Sequence, residues 1–126
     1  ALGDEIETLA FYRKNGDAAR YYDLLIKRHT RALLAATEDP KHLADAASAA
    51  AADKLAAELS QLVDRDQHAW DGVMIGIGNL KAAPSGIGDS AARMIGSYRK
   101  YRKSRDMSDY QDFRNQSGFI MQYGGS

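Results

Sequence analysis

Of the three histidines in the chain, His68 is the best placed to do chemistry. Asp64 stands four residues before it and Asp71 three after it, so one helical face can carry all three. A carboxylate that orients an imidazole suits proton transfer, and the same trio could hold a divalent ion in part. A metal site, however, needs about three or four protein ligands in a preorganised shell, which a single helix face seldom supplies. Asp64, His68 and Asp71 are therefore weak metal candidates, and an exposed ion-pair ladder with Arg65 is the simpler expectation. His29 falls on an apolar stripe and reads as a hydrogen-bonded core histidine. His42 falls in the first turn of a helix and reads as solvated. No Glu-x-x-His occurs, which paired-iron bundles use, and cysteine is absent. No cofactor is expected.

Serine and phosphate chemistry find equally little support. There is no Gly-x-Ser-x-Gly elbow. Ser85-Gly86-Ile87-Gly88 has the small residues of an anion-holding turn but lacks the lysine of a phosphate loop, so it reads as a connection. The sharpest charge feature is a basic run holding Arg93, Arg99, Lys100, Arg102, Lys103 and Arg105, with Tyr98 and Tyr101 interleaved and no acid from 93 to 105. Such a run can neutralise phosphates or meet an acidic protein surface. It can equally be a solvated helix face answered by nearby acids such as Asp106, Asp109 and Asp112. The balance of 17 Lys+Arg against 17 Asp+Glu excludes a wholly basic nucleic-acid binder and favours the solvated face.

The elements that must position these residues are helical. At 126 residues, 44% apolar and 27% charged, the chain fits one globular domain. Apolar residues recur at steps of three and four: Tyr22, Leu25, His29 and Leu33; then Leu55, Leu59, Leu62, Val63 and Trp70; then Ala91, Ile95, Tyr98 and Tyr101. Residues 43–59 are dominated by alanine, the strongest helix former. No segment alternates cleanly at period two. The pattern predicts a single all-α domain over 1–126, with helical segments at about 4–15, 17–37, 40–80, 89–107 and 108–121 and a frayed tail at 122–126. Three rods of roughly 50–60 Å, at about 1.5 Å per residue, would make an elongated antiparallel bundle of three long helices plus a short C-terminal one. Kinks or breaks are expected near Asn15-Gly16, near Gly72 and near Met107-Ser108. Asp17, Asp39 with Pro40, Asp89 and Ser108 are the expected N-terminal stops.

An alanine seam buries little apolar area per residue, so partners or further copies of the chain are expected to add stability. The functional expectation is a non-catalytic helical module for protein association or self-association, as a subunit of a larger assembly. Its expected contact residues are Trp70, Met74, Ile77, Tyr98 and Tyr101. One alternative is nucleic-acid binding through residues 93–105. Another is an enzyme or toxin domain with a site around His68. No apolar run is long enough for a membrane span.

Overall fold

The chain first turns at Gly16, whose φ of +73° lies in the left-handed region that costs glycine nothing. The computed structural model describes residues 2–14, 16–77 and 86–123, with backbone alone at 2–5 and 74–77. Five α-helices account for most of them: α1 (Leu2–Lys14), α2 (Ala18–Ala36), α3 (Ala46–Ile77), α4 (Gly88–Ser104) and α5 (Met107–Gln122). A 3-10 turn, Pro40–Ala44, leads into α3. No strand occurs among the described residues.

Short acidic side chains start most of the helices, because each accepts an amide that the first turn leaves unbonded. Asp17 accepts from the Arg20 amide at 3.1 Å, and Asp39 from Lys41 at 2.9 Å. Asp45 takes the Ser48 amide at 3.0 Å. Two expected stops move. Asp106, not Ser108, caps α5, accepting from the Ser108 amide at 2.9 Å. The position before α4 is Ile87, which offers no side-chain cap. Asp89 lies one residue inside that helix, where it accepts from Gln67 Nε2 at 3.0 Å.

The first and third expected rods are each divided. The break at Gly16 separates α1 from α2, and Arg105, at φ 59°, separates α4 from α5. Its amide bonds the Tyr101 carbonyl at 2.8 Å and ends α4 there. By contrast, α3 continues as one helix through Gly72. Helix α2 packs most extensively on α3, and α4 on α5, while α3 against α4 and α2 against α5 join the two pairs. Helix α1 rests mainly on α2. Residues 78–85, 124–126, 1 and 15 lie outside the described set, and with them most of the tail expected to fray.

One cluster of apolar side chains fills the middle. Alanines 52 and 56 let α3 approach closely, while Leu59, Leu62 and Val63 extend its seam. On the facing pair, Tyr98 meets Phe113 edge-on at 5.4 Å, and Tyr101 meets Tyr110 at 5.3 Å. The core is thus alanine-rich on α3 and aromatic on α4 and α5. Polar tips of these aromatics find partners. Tyr98 donates to Asp53 at 2.7 Å. Tyr110 donates to the Thr37 carbonyl at 2.6 Å, and Arg114 to the Leu34 carbonyl at 3.0 Å, so α5 satisfies the open end of α2.

Candidate functional site

The least expected arrangement is a polar cluster closed inside one end of the bundle. Helix α2 brings Arg20, Asp23 and Lys27 to it, α3 brings Asp66 and Trp70, and Tyr123 arrives from the end of α5. Asp23 is 2% exposed and Asp66 1%. Asp23 accepts from Trp70 Nε1 at 3.1 Å and from the Tyr123 hydroxyl at 2.9 Å. Lys27 Nζ donates to the Tyr123 carbonyl at 2.9 Å. The Arg20 guanidinium lies over the Trp70 ring, 5.1 Å from its centre. Residues 86–88 close the cluster, and Gly86 is packed so tightly that a β-carbon there would strike Trp70 Nε1 and Asp23.

Asp66 differs from Asp23 in having no donor. Neither of its buried oxygens receives a hydrogen bond among the described residues. Burial, and then the neighbouring Asp23 carboxyl, push Asp66 up to about 8. The nearby Gly88 amide and Trp70 indole, neither of which reaches Asp66 at hydrogen-bonding geometry, oppose that rise without overcoming it. Two carboxylates in one dry site cannot both ionise cheaply. Asp23 has two donors, whereas burial and the neighbouring carboxyl favour the protonated form of Asp66. Burial, and then Asp23, carry the Tyr123 phenol up to about 12. Sequence reasoning passed over this pair. A signal existed on α3, since the spacing of Leu59, Leu62, Val63 and Trp70 runs straight through Asp66.

The sequence-derived candidates are dispersed. His68, Asp64 and Asp71 are all exposed on α3. Among the described residues no cluster of three or more histidines and acids could hold a metal ion. His29 is half-buried, with Nδ1 3.2 Å from the Leu25 carbonyl and Nε2 3.8 Å from Glu58. Trp70, Tyr98 and Tyr101, expected at a contact face, are 7%, 1% and 5% exposed and pack against this chain's own residues. The side chains of Met74 and Ile77 lie outside the described set.

The basic run splits into two groups. Arg102 forks onto Asp53, Nε at 3.0 Å and Nη2 at 3.3 Å. Burial draws the Asp53 carboxyl upward, but its bonds from Arg102 and Tyr98 outweigh that and hold it below the usual range. Arg105 donates to the Leu43 carbonyl at 3.4 Å, and Lys100 pairs with Asp109 at 3.5 Å. Arg93, Arg99 and Lys103 remain exposed along α4.

Among the described residues four large apolar side chains are exposed: Met107 (49%) and Phe119 (66%) on α5, and Ile6 (51%) and Phe11 (61%) on α1. An open groove of about 590 Å³ between α1 and α2 is lined by Ile6, Leu9, Ala10, Tyr21 and Leu25 together with Arg13, Lys14 and Arg28. Among the described residues no helix is long and apolar enough to cross a membrane. No family model, curated protein or solved structure matches this chain.

Proposed function

We propose that this chain is a non-catalytic helical association module, a bundle of antiparallel helices that joins a second copy of itself through α1. The observation that carries the reading is the half-covered state of α1. It rests mainly on α2 and leaves Ile6 and Phe11 exposed beside an apolar groove. Its charge order supports a copy of the same chain as the occupant. Asp4, Glu5 and Glu7 lie in the first half of α1, and Arg13 and Lys14 in its last turn. Two α1 helices crossing antiparallel about a two-fold axis set acids against bases and apolar residues between them.

The expected affinity is modest. Covering a large apolar side chain contributes roughly 1.5–3 kcal/mol, and lost rigid-body freedom offsets much of the sum for four such groups. Sedimentation equilibrium is expected to show a concentration-dependent monomer–dimer exchange that weakens with salt. Ile6→Asp with Phe11→Asp shifts it to monomer, and Arg13→Glu with Lys14→Glu weakens it. A native chain that stays monomeric at the highest soluble concentration overturns this reading.

Arg93, Arg99 and Lys103 support a second reading, contact with nucleic-acid backbone along α4. Three cations give a shallow salt dependence, with a log–log slope of about −2 to −3. A retardation assay at two ionic strengths tests it, with Arg99→Glu and Lys103→Glu as the variants expected to abolish a shift. No retardation at low salt removes it.

A further inference from the structure

We propose that the buried Asp23–Asp66 pair is a proton-operated latch: one shared proton holds residues 86–88 and Tyr123 closed over Trp70, and its loss drives the two carboxylates apart and opens this end of the bundle. Three independent features of the geometry support it. Both carboxyls are nine-tenths buried or more, and both Asp66 oxygens lack a donor. What a second anion would repel is also what closes the site, since Asp23 anchors both Trp70 and Tyr123. The closing segment has no slack. A β-carbon at Gly86 would lie 2.5 Å from Asp23 Oδ1, and one at Gly88 would lie 3.0 Å from Asp66 Oδ2.

The surrounding charges fit a proton rather than a metal ion. From α2, Arg20 is placed over Trp70 and donates to the Tyr123 hydroxyl at 3.4 Å, and Lys27 holds the Tyr123 carbonyl. Neither cation bonds Asp66. From α4, the nearest acid is Asp89, exposed and bonded by Gln67. From α5, Tyr123 stays a neutral donor across the neutral range, because burial and Asp23 raise it. No third acid or histidine completes a cation shell among the described residues.

Trp70 is the sole tryptophan of the chain, so its fluorescence reports the latch directly. In the native chain the emission maximum is expected to move to longer wavelength as pH rises, with a midpoint near 8. Asp66→Asn, whose amide can donate to Asp23 without titrating, is expected to keep the short-wavelength emission through that range. Carbon-13 NMR of aspartate carboxyls in the native chain makes the test independent of any variant. One carboxyl of the pair should titrate far above the ordinary aspartate range, in step with the emission change. A native emission that is flat from pH 6 to about 9.5 overturns the latch, as does an Asp66 carboxyl that titrates near its usual 3.8. A midpoint displaced by added Ca²⁺ assigns the pair to a cation and overturns it too.

Discussion

The unfolding free energy of the native chain is expected to fall steadily between pH 5 and pH 8, and Asp66→Asn to abolish most of that fall. The sign follows from proton counting. An unfolded aspartate releases its proton near 3.8, whereas Asp66 in the folded chain holds its proton up to about 8. Between those values the folded state binds one proton more than the unfolded state, so rising pH favours unfolding. The contribution is fully present below about 3.8 and lost as pH passes through about 8. Each pH unit costs about 1.4 kcal/mol, and the interval is about four units, 8 less 3.8, so the total is on the order of 6 kcal/mol. Domains of ordinary stability have roughly 5–15 kcal/mol, so the chain would lose a large share of its margin. The substituted amide keeps the shape of the neutral acid and its donor, but carries no proton to lose. Urea unfolding at pH 5, 7 and 9 measures the difference, and identical slopes for the two chains would show that the pair does not titrate as described. The other shifted groups act outside this window. Tyr123 responds near 12, and the carboxyls held low, such as Asp53, respond only on acidification below 3.8.

Gly86→Ala is expected to destabilise the fold by roughly 2–4 kcal/mol, a large effect for one methyl group. The new carbon would land on the indole of Trp70, 2.6 Å from Cδ1. Trp70 has no free direction in which to retreat, because its N–H is bonded to Asp23 and Arg20 lies over its ring. Either the indole shifts and leaves a buried acceptor short of a donor, or residues 86–88 lift away. Gly96→Ala is the internal control. A β-carbon there meets nothing within 4 Å, and the position is an exposed helix interior. Its expected effect is a gain of roughly 0.5–1 kcal/mol. Thermal melts of the two variants should move in opposite directions, and Trp70 emission should change only for the first. Equal melting temperatures would mean that Gly86 is not packed as found.

Helix boundaries were legible because local chemistry sets them. Gly16, Asp17 and Asp39-Pro40 act within one turn of the chain, whereas α5 starts from Asp106 and not from the expected Ser108. The stripe of α4 was legible for the same reason, as Ala91, Ile95, Tyr98 and Tyr101 are both apolar and buried. The stripe of α2 was legible only in part. Its apolar spacing runs through Leu33, which is buried, and through Tyr22, Leu25 and His29, which are half-buried, whereas the inward face is Ala19, Asp23, Ile26, Lys27, Thr30 and Leu33. Three of those six residues are polar, so the apolar stripe marked only one edge of the buried face. Polar residues are tolerated there only because partners far along the chain satisfy them, and such partners are invisible to a local window. The same remoteness hid the Asp23–Asp66 pair. Trp70, Tyr98 and Tyr101, read from the sequence as contact residues, lie buried within this chain, and aromatic residues suit interfaces and cores alike.

The bond between Tyr123 and Asp23 spans 100 residues, whereas the two residues Arg105 and Asp106 alone join α4 to α5. Loop-closure entropy rises with the logarithm of the length enclosed, so these two links stand at opposite ends of the assembly order. The α4–α5 hairpin can collapse on its aromatic pairs while the remainder is still a coil. The carboxyl cluster can close only after nearly the whole polypeptide has been gathered. Closure of the cluster is thereby a late step in assembly.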